Sequence, residues 1–411
     1  MLDHIKSKEF ETGKIKSLNK HLISGVLKIP NGTKLLPENL FKNNKDIIKV
    51  IIPSSLKIIS EGCFNGCISL KEIEFSYSIY YNSSKNNSSD IVGLEEIGAR
   101  AFYKCDSLND IILPDSVKKI GNYAFFGTNI TNIHIPSNIL EIGHDAFNAK
   151  SSVRSLDLPN SLTKVGSNAF KGWDNLEKIS MPKFFGKGLG YIFEEADLFY
   201  KNTDPSKYFI SGYLIPSSIK ELTITGNINK IPDYMFSHLT SLERINLPNS
   251  IITIGDFAFN ECTNLKEINL DSDITVIGAS AFSGCKSLTE VLLPNTINEI
   301  KRYAFKECTL LKCIKLPKGI TKVEEGAFFA CDSLREIRIP SSVKYIGFLA
   351  FSECKELKEV YLDKNINEIE ESAFLNSKNV LIKTNITNHI LPKTWHFNRY
   401  NDYDDKIIWD D

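Results

Sequence analysis

The sequence predicts a solenoid, a fold in which similar coils stack so that each coil buries its apolar side against its neighbours. Three observations support this prediction: phenylalanine recurs about every 23 residues, a strand-like segment precedes each phenylalanine, and proline and glycine recur at fixed positions between the two. The last seven phenylalanines of the series are spaced by 23 without interruption. The series comprises Phe41, Phe64, Phe102, Phe125, Phe147, Phe170, Phe236, Phe259, Phe282, Phe305, Phe328, Phe351 and Phe374.

Each repeat begins with a segment that alternates apolar and polar residues. The clearest example is Leu242-Glu-Arg-Ile245-Asn-Leu247, whose period of two is typical of a strand with one buried face. Proline then ends the strand, at a position where a missing N–H costs least. The prolines in this position are Pro114, Pro136, Pro159, Pro182, Pro248, Pro294, Pro317 and Pro340.

The remainder of each repeat is predicted to return the chain through a bend to the core. Two later aliphatic residues, such as Ile251 and Ile254, are expected to point inward. A glycine then marks a bend that would suit a positive φ, although Lys301, Glu324 and Glu370 occupy the same position in three repeats. Ala-Phe closes the coil, and the phenylalanine rings are expected to stack along the interior. The glycines are Gly98, Gly121, Gly143, Gly166, Gly255, Gly278 and Gly347.

The whole repeat resembles the BspA-like leucine-rich repeat family. It reads Leu-x-x-Ile-x-Leu-Pro-x-x-Ile-x-x-Ile-Gly-x-x-Ala-Phe-x-x-Cys and is nearly complete in the repeats that end at Phe259 and Phe282. The segment 189–193 is similar to one that interrupts bacterial members, and Trp395 and Trp409 are similar to the tail that closes them.

The resemblance implies a leucine-rich-repeat solenoid. This would be a curved right-handed coil with a parallel β-sheet on one face and irregular, short helical or short strand segments on the other. It also implies protein recognition, often at bacterial or protist surfaces, and no enzyme activity.

The repeats predict the organisation of the whole chain. An end coil needs a polar cover to keep its core from water, so residues 1–23 and 380–411 are expected to be caps. Repeats are predicted over 24–182, with a loop insertion at 76–92, and over 214–379. The aromatic-rich segment 183–213 either packs as a distorted repeat or exposes rings that bind a protein.

Seven of the nine cysteines stand three residues after a repeat phenylalanine. That spacing places one thiol per coil in a parallel ladder, which does not converge as four metal ligands must. We expect no metal and no cofactor, and buried thiols that act as small apolar groups, as suits a reducing compartment. Cys313 is predicted to be outward and reactive. The ladder comprises Cys67, Cys105, Cys262, Cys285, Cys308, Cys331 and Cys354.

Charge and motifs exclude several classes of function. The net charge is −1 with a pI near 6.7, so no overall field attracts nucleic acid. The sequence has no run of about 20 apolar residues, so we expect no membrane span. No secretory signal is visible, which predicts a cytoplasmic protein, whereas the resemblance favours a cell-surface or secreted one. Catalytic motifs of the H-E-x-x-H, G-x-S-x-G and P-loop types do not occur, and we expect no catalytic residue.

The candidate ligand-binding residues lie beside the central isoleucine of each strand, where side chains should point outward. They form an acidic column and a neighbouring basic one, and could recognise a protein partner with basic groups. Alternatively, opposite charges simply pair across neighbouring strands, each pair contributing about 0.2 to 1 kcal/mol. The protein would be an adhesin or surface recognition protein, or an intracellular scaffold. Oligomeric state and ligand are not predicted. The residues are Glu267, Glu290, Lys315, Glu336, Arg338, Glu359 and Tyr361.

Overall fold

The computed structural model describes residues 21–76, 93–183, 216–270, 273–377 and 380–384, together with the backbone of 406–409. All regular elements in these ranges longer than one residue are β-strands. The chain divides into two compact units: of the described residues, those up to Leu176 form unit 1 and those from Glu177 form unit 2.

Unit 1 contains two sets of strands that alternate along the chain. In the first set, β1, β2, β4 and β6 form one sheet and β8 pairs with β10. In the second set, β3, β5, β7, β9, β11 and β13 form a six-stranded sheet. Neighbouring strands are parallel, except that β1 and β2 are antiparallel. The bounds are β1 Leu22–Ile23, β2 Val26–Lys28, β3 Leu35–Leu36, β4 Lys49–Ile52, β5 Ile58–Ile59, β6 Glu72–Phe75, β7 Glu96–Ile97, β8 Asp110–Ile112, β9 Lys119–Ile120, β10 Asn132–His134, β11 Glu141–Ile142, β12 Ser155–Asp157 and β13 Lys164–Val165.

Unit 2 repeats this arrangement. Its first-sheet strands pair in the orders β14-β15-β17-β19, β21-β23 and β25-β27-β29-β30, and its second-sheet strands in the orders β16-β18-β20-β22 and β24-β26-β28. The bounds are β14 Lys178–Met181, β15 Glu221–Ile224, β16 Lys230–Ile231, β17 Arg244–Asn246, β18 Thr253–Ile254, β19 Glu267–Ile268, β20 Val276–Ile277, β21 Glu290–Val291, β22 Glu299–Ile300, β23 Cys313–Ile314, β24 Lys322–Val323, β25 Glu336–Arg338, β26 Tyr345–Ile346, β27 Glu359–Leu362, β28 Glu368–Ile369, β29 Leu381–Thr384 and β30 Lys406–Trp409.

The predicted parallel-strand solenoid is confirmed in both units. Consecutive first-sheet strands pair in register one repeat apart, as Arg244 does with Glu267. The second face is built of two-residue strands, so short strands are the form that the predicted second face takes in the described residues. The phenylalanine rings are buried and stacked, with centroids 5.1 Å apart for Phe102 and Phe125 and 5.3 Å apart for Phe282 and Phe305.

The turn that carries the phenylalanine forms a third hydrogen-bonded ladder between coils. The N–H groups of Phe257, Phe259 and Glu261 donate to the carbonyls of Ala279, Ala281 and Ser283 in the next coil, at 2.8, 2.8 and 2.7 Å. Phe257 and Glu261 have left-handed backbones, with φ of 56° and 58°. These two left-handed residues lie on either side of Phe259, and all three N–H groups donate to the same neighbouring coil.

The predicted role of the repeated glycines was wrong. None of these seven residues has a positive φ. Instead, the neighbouring coil passes too close to admit a side chain: a Cβ on Gly166 would lie 2.3 Å from the backbone N of His144, and one on Gly278 would lie 2.5 Å from the carbonyl carbon of Gly255. The left-handed residues lie two positions before and two positions after the phenylalanine, and most of them are not glycine.

The cysteine ladder is buried, as predicted, and each of its thiols also donates a hydrogen bond. The Sγ of Cys308 lies 3.2 Å from the carbonyl oxygen of Phe282, the phenylalanine of the preceding coil, and the other six ladder cysteines make the equivalent bond. Burial raises the pKa of these thiols, to about 11 for Cys67 and about 12 for Cys354. Thiols held in this way are protonated and unreactive at neutral pH.

Candidate functional site

The candidate site is the outward side of the first sheet in unit 2, hereafter the recognition face. Its strands alternate between inward and outward side chains: Ile245 and Ile337 are buried, while the residues on either side of each are exposed. The inward isoleucines are held by the core, so the outward side chains project from a rigid backbone. Every outward position lies beside the equivalent position of the next coil, as Glu336 does beside Glu359.

All seven predicted ligand-binding residues lie on this face. Glu267, Glu290, Lys315, Glu336 and Arg338 are exposed, whereas Glu359 and Tyr361 are half-buried. The structure places them in five consecutive coils but does not bring them together into a pocket. Their role in binding stays a prediction.

At its N-terminal end, the recognition face is neutralised by pairs between neighbouring strands. Lys178 bonds Glu221 at 2.8 Å, and the Nε of Arg244 lies 3.7 Å from Glu267. Here the alternative interpretation, in which opposite charges pair across the sheet, describes what the structure shows. The first sheet of unit 1 behaves likewise where Lys49 contacts both Glu72 and Glu74 at 2.7 Å.

At its C-terminal end, the face carries a cluster around Tyr361. The guanidinium of Arg338 lies 3.7 Å from the ring centroid, and the ammonium of Lys383 lies 4.9 Å from it, which are cation–π distances. The Tyr361 hydroxyl donates to Glu359 at 2.6 Å, and Lys383 donates to that hydroxyl at 3.1 Å and to Glu359 at 3.0 Å. The bond from Tyr361, and then that from Lys383, lowers the pKa of Glu359. Lys383 was not among the predicted residues, and the register of β27 and β29 places it beside Tyr361.

Between these ends, the face carries side chains that make no ion pair or hydrogen bond with the described part of the chain. They are Glu290, Lys315 and Glu336. Leu292, which is 77% exposed, lies two residues after Glu290, and the register of β21 and β23 places Lys315 beside it. Cys313 is exposed beside Glu290, as predicted. Its reactivity stays a prediction.

A further column of side chains runs along the edge of the recognition face, immediately before the outward acidic column. We call it the flanking column. Backbone hydrogen bonds connect its members from coil to coil, for example from the N–H of Arg335 to the carbonyl of Lys312. Alternation around the central isoleucine does not predict this column, because the column lies two residues before that isoleucine. Its members are Glu177, Lys220, Glu243, Lys266, Thr289, Lys312, Arg335 and Lys358.

Several other sequence predictions lie outside the described residues. These are the aromatic segment after Lys183, the loop insertion after Ser76, most of both caps, and the side chains of Trp395 and Trp409. Within the ranges that the structure describes, no three acidic, histidine or cysteine side chains are grouped as a metal site would require. No helix in those ranges has the length and apolar character needed to cross a bilayer.

Comparison with known families identifies the repeats. The profile described as "BspA type Leucine rich repeat region (6 copies)" matches residues 3–87, 77–198, 213–332 and 277–397. No curated protein matches the chain.

The chain is similar to three solved bacterial structures, each described as a leucine-rich repeat protein. The one from Eubacterium ventriosum shares 24% identity, with 90% of this chain and 93% of that chain covered and a TM-score of 0.39. The one from Bacteroides ovatus shares 19% identity, with 98% and 94% covered and a TM-score of 0.43. The one from T. pallidum shares 25% identity, with 50% and 78% covered and a TM-score of 0.32.

Proposed function

Because the chain belongs to the BspA-type leucine-rich repeat family, we propose that it is a non-catalytic binding protein that recognises another protein through the recognition face of unit 2. The observation that carries this proposal is the centre of the face. Leu292 is a large apolar side chain left 77% exposed, with the charged side chains of Glu290 and Lys315 around it. An apolar centre within a polar rim is the usual anatomy of a protein interface.

The seven predicted residues would have different roles in binding. Glu290 and Glu336 form no ion pair with the described residues, so their carboxylates are available to basic groups of the binding partner. Tyr361 and Arg338 are of the residue types that most often anchor interfaces. They are already fixed by the cation–π contact at 3.7 Å, so little side-chain freedom remains to be lost on binding.

Two observations support two different cellular settings for this binding. The family resemblance supports an adhesin or another recognition protein at a cell surface. The thiol ladder supports an intracellular scaffold, because the hydrogen bonds from Sγ to the carbonyls require reduced cysteines. Fractionation of the producing cells, followed by immunodetection of this chain, separates the two.

Photo-crosslinking tests the face itself. A photoreactive amino acid at Leu292 should link the chain to a protein partner in its native cells or their surroundings. The matched control places the same amino acid at Ile252, which is 43% exposed but lies next to the second-sheet strand β18. We expect a specific adduct from Leu292 that is lost in Arg338→Ser/Tyr361→Ser. Equal adducts from both positions, or none from Leu292, would contradict the proposal.

A further inference from the structure

The flanking column changes character along unit 2. Its first four members alternate in sign, and they neutralise one another: Lys220 lies 3.5 Å from Glu177, and Lys266 lies 2.8 Å from Glu243. After Thr289 the alternation stops. The next three members, Lys312, Arg335 and Lys358, are all cationic and exposed.

These three cations are stacked in register on consecutive coils. The N–H of Arg335 donates to Lys312 O at 3.4 Å, and the N–H of Lys358 donates to Arg335 O at 2.8 Å. Strands that are stacked in this way lie about 4.8 Å apart. None of the three side chains forms an ion pair or hydrogen bond with the described residues.

Like charges directly opposite one another across strands are destabilising. The fold does not require them, because the same column takes glutamate in alternate coils earlier in unit 2. Glutamate at 335 would therefore relieve the repulsion at no cost to the backbone. A row of cations that its own sheet leaves uncompensated can be neutralised by an anionic partner instead.

We propose that Lys312, Arg335 and Lys358 form a docking row for an extended, carboxylate-rich segment of the protein that binds the recognition face. This inference rests on the proposed function and names the chemistry of the partner. The neighbouring acidic column distinguishes a peptide from a nucleic acid. Arg335 and Lys358 are each followed directly by a glutamate, Glu336 and Glu359, which would repel a backbone charged at every unit.

A polypeptide satisfies both columns, because it can place carboxylates over the row and basic groups over the glutamates. The basic side of the Tyr361 cluster, with Arg338 and Lys383, lies beyond the acidic column on the same strands. The face thus presents basic, acidic and basic columns in turn, a pattern that a partner of mixed charge matches and a uniform polyanion does not.

The test uses the purified full chain and fluorescence anisotropy with a labelled peptide that alternates glutamate and serine. The variant Lys312→Gln/Arg335→Gln/Lys358→Gln should bind this peptide about tenfold more weakly, because three exposed ion pairs are lost. The matched control, Lys286→Gln/Lys318→Gln/Lys344→Gln, removes the same charge from exposed positions of unit 2 outside the row and should bind as the unaltered chain does. Circular dichroism establishes that both variants are folded.

Three outcomes would overturn the proposal. They are no binding of the glutamate peptide by the unaltered chain, an equal loss in the control triple, and tighter binding of oligothymidylate than of the peptide at the same row. The last would assign the row to nucleic acid. Because the peptide is a defined probe, its failure to bind is distinguishable from a failure of the crosslinking at Leu292.

Discussion

The position three residues after the repeat phenylalanine is filled more uniformly in unit 2 than in unit 1, where Cys67 and Cys105 are the cysteines of the ladder. In unit 2, five consecutive coils have a cysteine three residues after the phenylalanine, and each thiol donates to the phenylalanine carbonyl of the coil before it. In unit 1 the same position holds Thr128 and Trp173 in two coils, and the indole N–H of Trp173 donates to Phe147 O at 3.0 Å. Thr128 instead donates to the carbonyl of Phe125 in its own coil, and Leu239 occupies the position in unit 2 without a side-chain donor, so the position requires neither cysteine nor a donor.

At the position four residues before the phenylalanine, unit 1 is the more uniform of the two units. Unit 1 has glycine there in four coils, from Gly98 to Gly166, whereas unit 2 has Lys301, Glu324 and Glu370 in three. The carboxylates of Glu324 and Glu370 accept hydrogen bonds from the backbone N–H groups of Arg302 and Phe348 in the preceding coil, at 2.9 and 2.7 Å. A long side chain at this position thus makes a bond that glycine cannot.

The phenylalanine stack is where the two units should behave alike. Phe125→Ala in unit 1 and Phe305→Ala in unit 2 should each reduce the free energy of unfolding by about 3–5 kcal/mol, because each leaves a cavity between two stacked rings. Urea titration followed by circular dichroism measures this. The half-buried Phe329, replaced by alanine, is the control and should cost less. If the losses in unfolding free energy for Phe125→Ala and Phe305→Ala differed by more than about 2 kcal/mol, the stacks of the two units would not be equivalent.

The glycine position should separate the units. Gly166→Ala places a Cβ about where the backbone of His144 already lies, so the coils must move apart at a cost of about 1–3 kcal/mol. Lys301→Ala, at the equivalent position of unit 2, should change the stability by less than about 0.5 kcal/mol. Thermal unfolding of the two variants gives the difference. A harmless alanine at 166 would mean that close approach does not explain the glycines.

The thiol ladder should give unit 2 a dependence on high pH. Burial raises the pKa of Cys308 far above the roughly 8.5 of an unfolded thiol. Above that pH the unfolded chain releases a proton that the folded chain keeps, so stability falls as pH rises, by about 1.4 kcal/mol per pH unit for each thiol. Cys308→Ser should reduce this slope by that amount and leave the slope below pH 8 unaltered, as measured by urea titration at several pH values.

Thr128→Ser in unit 1 is the matched control, since it replaces one donor that does not titrate by another at the same position of the repeat. Its slope should equal that of the unaltered chain. A slope for Cys308→Ser that also equals it would show that the buried thiol titrates as freely in the folded state as in the unfolded one.

The fold could be predicted from the sequence because the same pattern of buried and exposed residues recurs in every coil. Alternation around Ile245, the proline after the strand and the buried Phe259 all recur at fixed spacing. A departure from the pattern in one repeat therefore does not obscure the pattern that the other repeats share. The backbone of the turn could not be predicted. Left-handed residues occur there as Arg100, Tyr123 and Phe257, which have no sequence preference for that conformation and adopt it because the neighbouring coil provides the hydrogen-bond acceptors.

The candidate site was predicted only in outline. Strand alternation located the outward positions of Glu290 and Arg338, since the period of two fixes which side chains leave the core. It could not show that Glu267 is paired while Glu336 is not, because pairing depends on which charges the neighbouring coils present. The flanking column could have been found by aligning the repeats and reading the position two residues before the central isoleucine, where Lys312, Arg335 and Lys358 interrupt the alternation.

The left-handed turn residues bear on how this chain acquires its structure. Each such residue other than glycine costs about 1–2 kcal/mol, and the compensating bond, such as that from Phe257 to Ala279, exists only once the adjoining coil is in place. A single coil is therefore a poor nucleus, whereas a coil added to an existing stack is templated by it. We expect folding of each unit to nucleate in a few neighbouring coils and to propagate by the addition of one coil at a time.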